Sequence, residues 1–215
     1  MAQSIISVDV VADVICPWCF LGKRRLDKAL AQLPDIQVQV VNRPFFLDPS
    51  IPPEGLDRHQ YMAAKFGEAR LATIHKPLEE MGAKDGVPYH FDKIKRTPNS
   101  LDAHRLIRWS QQAGKQPAVV EALFMAYWSE GRDVGDHDTL VTIASVCGLD
   151  GREIGKLLKQ DTDKQAVLTE AQQAIEMGVT GVPTFIMAQR YGISGAQDVS
   201  VLVDAIKKVA AQASA

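Results

Sequence analysis

From Ser4 to Val11 the chain is dense in Ile and Val with no breaker, the pattern of a strand buried on both faces. The period then changes from two to that of a helix. Cys16-Pro17 opens a predicted helix reaching about Leu33, with Trp18, Gly22, Leu26, Leu30 and Leu33 at helical spacing and Lys23, Arg24, Asp27 and Lys28 turned away. Pro17 suits the first helical position, where its missing N–H would be unpaired in any case, and Pro34 stops the run. Ile36 to Val41 alternates with Gln37 and Gln39 as a second strand. Strand, helix and strand make a βαβ unit with a right-handed crossover.

After a proline-rich loop over 42–56 the pattern is helical for about 130 residues. Helices are expected over 57–66 and 68–81, from Ser100 to Ala113 with Asn99 as cap, from Pro117 to before Gly131, from His137 to Cys147, and near 151–158. Another is expected from a cap at Asp161 or Thr162 to Gly178, and Val87–Phe91 reads as a short extended segment. Strands then return as a hairpin, Pro183–Ala188 and Tyr191–Ser194, turning around Gln189-Arg190. A last helix carries Val199, Leu202, Ile206 and Val209 on one stripe. A ββα tail is too small to bury its own core, so it should complete the sheet begun at the N-terminus. The expected division is therefore a discontinuous α/β unit, 1–54 with 181–215, and a helical insertion, 55–180.

Composition narrows the function classes. The 215 residues are 46% hydrophobic and 23% charged, an ordinary globular balance that excludes a disordered or collagen-like chain. A net charge of -2 with mixed signs argues against a nucleic-acid surface, and nothing approaches the roughly 18 apolar residues of a membrane span. Met1 to Ile6 lacks a positive segment and no cleavage site precedes Cys16, so the chain reads as unprocessed and cytoplasmic. Three cysteines form no disulfide framework, and in a reducing compartment a cysteine pair is catalytic or metal-binding.

Cys16-Pro17-Trp18-Cys19 sits at a strand-to-helix junction, with Cys16 at the N-cap. A thiolate there meets unpaired backbone N–H groups and the positive end of the helix dipole, which favour the nucleophilic form. Cys19, one turn in, is within disulfide reach and less exposed. Cys16 is therefore the expected attacker and Cys19 the resolver of a mixed disulfide. A zinc half-site is the other reading, but zinc needs two more ligands at matching spacing and there is no second Cys-x-x-Cys, so no metal is expected. A second signal, Gly181-Val182-Pro183-Thr184-Phe185, lies where the strand pattern resumes, with a proline at a position that tolerates its missing N–H.

Together the two signals and the helical insertion resemble the thioredoxin superfamily, in its DsbA branch. Asp13 to Gly22, Arg43-Pro44-Phe45, Asn99 to Arg105 and Ile193 to Gln197 are similar to the cytoplasmic FrnE-like DsbA family, related to kappa-class glutathione transferases and 2-hydroxychromene-2-carboxylate isomerases. The resemblance implies a thioredoxin-like fold with a large all-helical insertion. It also implies a cis bond between Val182 and Pro183 facing the cysteines, the Val182 backbone serving as a place where substrate pairs.

One departure separates the branches: the transferases and the isomerase carry serine at the position of Cys16. They also hold the γ-glutamyl end of glutathione with a Gly-Ser-Asp-like step, where this chain reads Gly195-Ala196-Gln197-Asp198. The reading favoured is a thiol–disulfide oxidoreductase. A glutathione-dependent transferase or isomerase is the alternative, and a redox-sensing binding module the third. Expected partners are a disulfide-containing protein or small molecule and a cellular thiol reductant, with no nucleic acid and no membrane. No resident cofactor is implied, and glutathione enters at most as a co-substrate.

Weaker candidates surround this pair. Asp13, three residues before Cys16, is a candidate for proton transfer or simply a solvated or helix-capping acid. Pro17 and Trp18 are candidates for the substrate surface with Val182 and Pro183. Asn99 is explained as a cap and His104 as a core or surface histidine. Arg43 and Phe45 are candidates for the groove border, and Cys147 reads as a small buried residue. The helical block is expected as a lid over Cys16 that sets substrate choice, hinged at Arg43–Phe45 and at Gly178. Trp109, Phe124, Tyr127 or Trp128 are candidate walls, though each is more often core than pocket.

Overall fold

A computed structural model describes residues 5–213. Ser4, the expected start of the first strand, lies outside them. The four-stranded sheet has order β2-β1-β5-β6, with β1 Ile6–Ala12, β2 Val38–Pro44, β5 Thr184–Met187 and β6 Tyr191–Ser194. β1 pairs parallel with β2, Val8 opposite Val40, and antiparallel with β5, Val10 opposite Phe185. The tail thus completes the N-terminal sheet, and the fold is α/β and thioredoxin-like with a helical insertion.

Alternation along β1 feeds both faces, because successive side chains leave opposite sides of a strand. Ile6, Val8 and Val10 join Leu26 and Ala29 of α1 (Pro17–Ala31) and Leu202 and Ile206 of α9 (Val199–Ala213). Val11 points the other way, to Ala174 of α8 (Lys164–Glu176) and to Val179.

Between β2 and β5 lie α2 (Arg58–Phe66), α3 (Lys76–Asp85), α4 (Leu101–Gln112), α5 (Gln116–Phe124), α6 (His137–Val146), α7 (Gly151–Leu158) and α8. Aspartate side chains cap three of them: those of Asp57, Asp136 and Asp150 accept from Gln60, Thr139 and Arg152 backbone N–H groups. α3 to α7, with Tyr61 of α2 against them, share one core with α1, in which Phe20 stacks on Phe124 at 5.1 Å and Trp128 donates its indole N–H to Val14 O at 2.9 Å.

Several elements depart from the sequence pattern. The helix expected over 68–81 is broken: a 3₁₀ turn at Glu68–Arg70 precedes α3, which begins around Pro77 because proline tolerates a first turn and breaks an interior. Gly86, in the left-handed region, ends α3. Val87–Phe91 forms no strand, whereas β3 (Leu56–Asp57) and β4 (Arg96–Thr97), too short to show a period, pair antiparallel. α5 runs into a π-helical turn, Met125–Ser129. β2 continues to Pro44, and the residue that precedes α8 is Asp163, with φ 61°, rather than Asp161 or Thr162.

Candidate functional site

Local chain direction places the cysteines. β1 ends in the middle of the sheet, and α1 starts after a tight step in which Cys16 N–H donates to Asp13 O at 3.1 Å. Cys16 is the N-cap in extended conformation, and its side chain makes no capping bond. Its thiol instead donates to Val182 O at 3.7 Å, on the loop before β5. The Val182–Pro183 bond is cis. Gly22 makes this approach possible: a Cβ there would lie 2.8 Å from Pro183 Cγ, so any other residue would collide with the proline ring.

The expected exposure of Cys16 is not found. Both thiols are free and buried, Cys16 at 3% and Cys19 at 2% exposure, because the helical block closes over the start of α1. They differ in surroundings. Cys16 lines a cavity of about 390 Å³, whereas Cys19 faces the core. Burial pushes the Cys19 thiol well up, reinforced by its hydrogen bond to Cys16 and by the neighbouring sulfur charge; the Asp13 backbone opposes the rise and the Asp13 carboxylate adds to it. Cys19 therefore holds its proton.

Tyr89, absent from the sequence reading, donates to Pro17 O at 2.6 Å and fastens the first turn of α1. The aromatic rings of Phe91 and Trp128 pack around it.

Asp13 is fully buried and accepts from Ile15 N–H at 3.3 Å and Leu47 N–H at 2.8 Å. It thus ties the approach to Cys16 to the loop after β2. His104 of α4 is buried against the same loop, its Nε2 3.1 Å from Phe45 O and 3.5 Å from Asp13 Oδ1. Asn99 caps Leu101 N–H at 3.0 Å and holds Ile51 O at 2.7 Å.

Other candidates fall away from the pair. Arg43 bridges Asp9 at 2.7 Å and Glu170 at 2.8 Å, so it ties β2 to β1 and α8 and does not border the groove. Phe45 packs with Val11, Ala174 and Val179. Cys147 is half-buried at the end of α6, its thiol pushed up by burial against the opposing Lys115 charge.

The cavity walls also differ from expectation. Phe124, Tyr127 and Trp128 are buried in the core, and Trp109 donates to Asp163 at 2.8 Å and lies against Arg105. Leu47, Tyr61, Met62, Phe66, Ile74 and Leu78 line the cavity instead. Trp18, 40% exposed and not on the buried stripe of α1, lines it beside Pro17 and Val182. The helical periodicity of α2 was visible in sequence, but not that its face would meet Cys16.

Four polar side chains reach the same cavity: Arg58, Lys65, His75 and Thr97. Lys65 is committed to Asp48 at 3.3 Å and to Tyr61 Oη at 2.8 Å. Asp48 is held at about 2, chiefly by the Ser50 hydroxyl and, against the opposing effect of burial, by Tyr61 and Lys65. No group of three or more His, Cys, Asp or Glu among the described residues is arranged to hold a metal.

A sheet ordered β2-β1-β5-β6, a Cys-x-x-Cys pair opening the helix after the central strand and a cis-proline loop against it define a thioredoxin-fold protein with a dithiol site. The chain belongs to the DSBA-like thioredoxin domain family, whose model matches residues 7–207. It is 30% identical over 210 residues, 94% of this chain and 96% of the relative, to the uncharacterized protein YwbO of Bacillus subtilis. Among solved structures it is similar to a probable DsbA oxidoreductase from Streptomyces coelicolor, at 30% identity and TM-score 0.88, covering 95% of this chain and 89% of that one. A 2-hydroxychromene-2-carboxylate isomerase shares the fold at 19% identity and TM-score 0.73, covering 97% and 98%.

Proposed function

We propose that the protein is a thiol–disulfide oxidoreductase of a reducing, cytoplasmic environment, in which Cys16 attacks a substrate disulfide and Cys19 resolves the product. The observation that carries this is the asymmetry of the pair. Cys16 opens on the cavity at the start of α1, while burial keeps the proton on Cys19. Attack by Cys16 forms a mixed disulfide and releases one substrate thiolate. Cys19 then loses its proton and attacks Cys16 Sγ, releasing the second thiol, so a substrate disulfide is reduced as the protein dithiol is oxidised. The buried Asp13 carboxylate, close enough to raise the Cys19 thiol, is suited to take that proton.

Pro17, Trp18, Val182 and Pro183 form the substrate rim, and the helical block sets what enters. A disulfide-containing small molecule or protein segment is the substrate, a cellular thiol the reductant. The transferase or isomerase reading is disfavoured by Cys16, which supplies an attacking sulfur of the protein's own where those enzymes carry serine.

The test is reduction of insulin and of oxidised glutathione by single variants. Cys16→Ser should abolish turnover, and Cys19→Ser should accumulate mixed disulfides detectable as mass additions on Cys16. Retained reduction by Cys16→Ser would sink the dithiol mechanism and promote the transferase reading.

A further inference from the structure

The cavity at Cys16 is apolar over most of its wall, yet two of the side chains lining it, Arg58 and His75, leave most of their hydrogen-bonding capacity unused. Arg58 starts α2, and its guanidinium has one weak hydrogen bond, to Thr97 Oγ1 at 3.4 Å, and a ring contact with Trp128 at 5.7 Å. Among the described residues no carboxylate pairs with it. Lys65 differs: it already carries Asp48. His75 precedes α3 and stacks flat on Phe91, centroids 3.9 Å apart. Its Nε2 is buried and has no hydrogen-bond partner. Burial first, and the Arg58 charge second, lower the imidazole to about 4, so the ring is neutral at physiological pH.

A buried ring nitrogen without a partner and a cation without a counter-ion are both unfavourable unless something supplies what they lack. Here the two share one cavity with Cys16 and are close enough for the Arg58 charge to act on His75. A compact anion satisfies both at once: two oxygens fit the guanidinium fork, and one of them accepts from a protonated Nε2. The remaining wall, Leu47, Met62, Phe66, Ile74 and Leu78, asks for an apolar body. A volume of about 390 Å³ suits a molecule of drug-like size.

From this juxtaposition, and resting on the dithiol reading above, we infer that the preferred substrate is a small disulfide with an apolar, aromatic or aliphatic body and a carboxylate, its carboxylate seated on Arg58 and His75 Nε2 while its sulfur meets Cys16. Arg58 and His75 are then specificity residues. The chemical step balances as before: Cys16 thiolate attacks one substrate sulfur, one thiolate leaves, and Cys19 expels the second as the Cys16–Cys19 bond forms. Two electrons pass from protein to substrate.

The test compares two aromatic disulfides on the full reduced chain. Dithiobis(nitrobenzoate) carries carboxylates; dithiodipyridine is uncharged near neutral pH. The quantity read is the ratio of their second-order rate constants at fixed ionic strength. Arg58→Gln should lower the ratio about tenfold, the loss of one charge-assisted contact in a half-buried site. His75→Phe, which keeps the stack on Phe91, should lower it in the same direction. Lys95→Gln removes the same charge from a neighbouring position outside this cavity and should leave the ratio unchanged. An unaltered ratio in Arg58→Gln, or an equal fall in Lys95→Gln, overturns the anion seat. Wild-type protein inert to both disulfides would instead bring down the dithiol reading, whereas reaction with both and no selective loss leaves that reading standing and removes only the seat.

Discussion

Gly22→Ala sets two effects of known size against each other. In an exposed helix the exchange stabilises by about 1 kcal/mol, because alanine loses less backbone entropy on folding. At position 22 the new Cβ would lie 2.8 Å from Pro183 Cγ and 3.3 Å from Phe185 Cζ. The proline ring is closed on its own backbone and cannot rotate aside, and Phe185 is fully buried. Relief therefore requires α1 and the cis-proline loop to separate by roughly half an ångström, and overpacking of this kind costs about 1–3 kcal/mol. The clash exceeds the helix gain, leaving a net loss of about 1 kcal/mol. Because the loop carries the Val182 carbonyl that faces Cys16, the same displacement should slow disulfide exchange about tenfold. Gly155 of α7 is the internal control: a Cβ there meets only Val141 Cγ2 at 3.4 Å, so Gly155→Ala should stabilise by about 1 kcal/mol. Urea unfolding of both variants and the rate with an aromatic disulfide measure the contrast. A Gly22→Ala protein stabilised as much as Gly155→Ala, with a rate within about twofold of wild type, would refute the argument that this glycine seats Pro183.

Alkylation of the reduced protein near neutral pH should modify Cys16 before Cys19, since Cys16 lines the cavity and Cys19 holds its proton; peptide mass spectrometry decides, and faster labelling of Cys19 reverses the roles. Arg105→Met should destabilise by about 3–5 kcal/mol in urea, because the buried guanidinium donates to Thr162 O, Leu157 O, Gln160 O and Asp102, all of which it would leave behind; a loss under about 1 kcal/mol contradicts this. The His75 imidazole, lowered from 6.5 to about 4 by folding, stays neutral while the unfolded chain takes up a proton, so its contribution is present above pH 6.5 and drains away as the pH falls towards 4. His75→Phe should flatten that acid limb by about 1–2 kcal/mol after allowance for solvent screening, and an unchanged limb would mean His75 is not held neutral.

What local sequence determined here is what local forces decide. The two-residue alternation of Ile36–Val41, the helix opening at Pro17 and the dense Ile and Val of the first strand each act over a few residues, and the β-α-β and β-β-α ends follow from them. Cys16 and Cys19 were legible for the same reason: their chemistry depends on a helix start that Pro17 marks. The cis bond at Pro183 came from resemblance, since proline geometry alone leaves both isomers open. Boundaries failed where a local signal was read too far, as across Pro77, or where a strand of two residues has no period to show. The tertiary structure alone decided what surrounds the thiols. Burial of Cys16, the contact of Gly22 with Pro183, the bond from Tyr89 to Pro17 and the gathering of Arg58 and His75 in one cavity with Cys16 all bring together residues dozens of positions apart. Hydrophobic periodicity states that a helix has an apolar face, but burial is non-directional, and only the packed chain selects which partner that face meets.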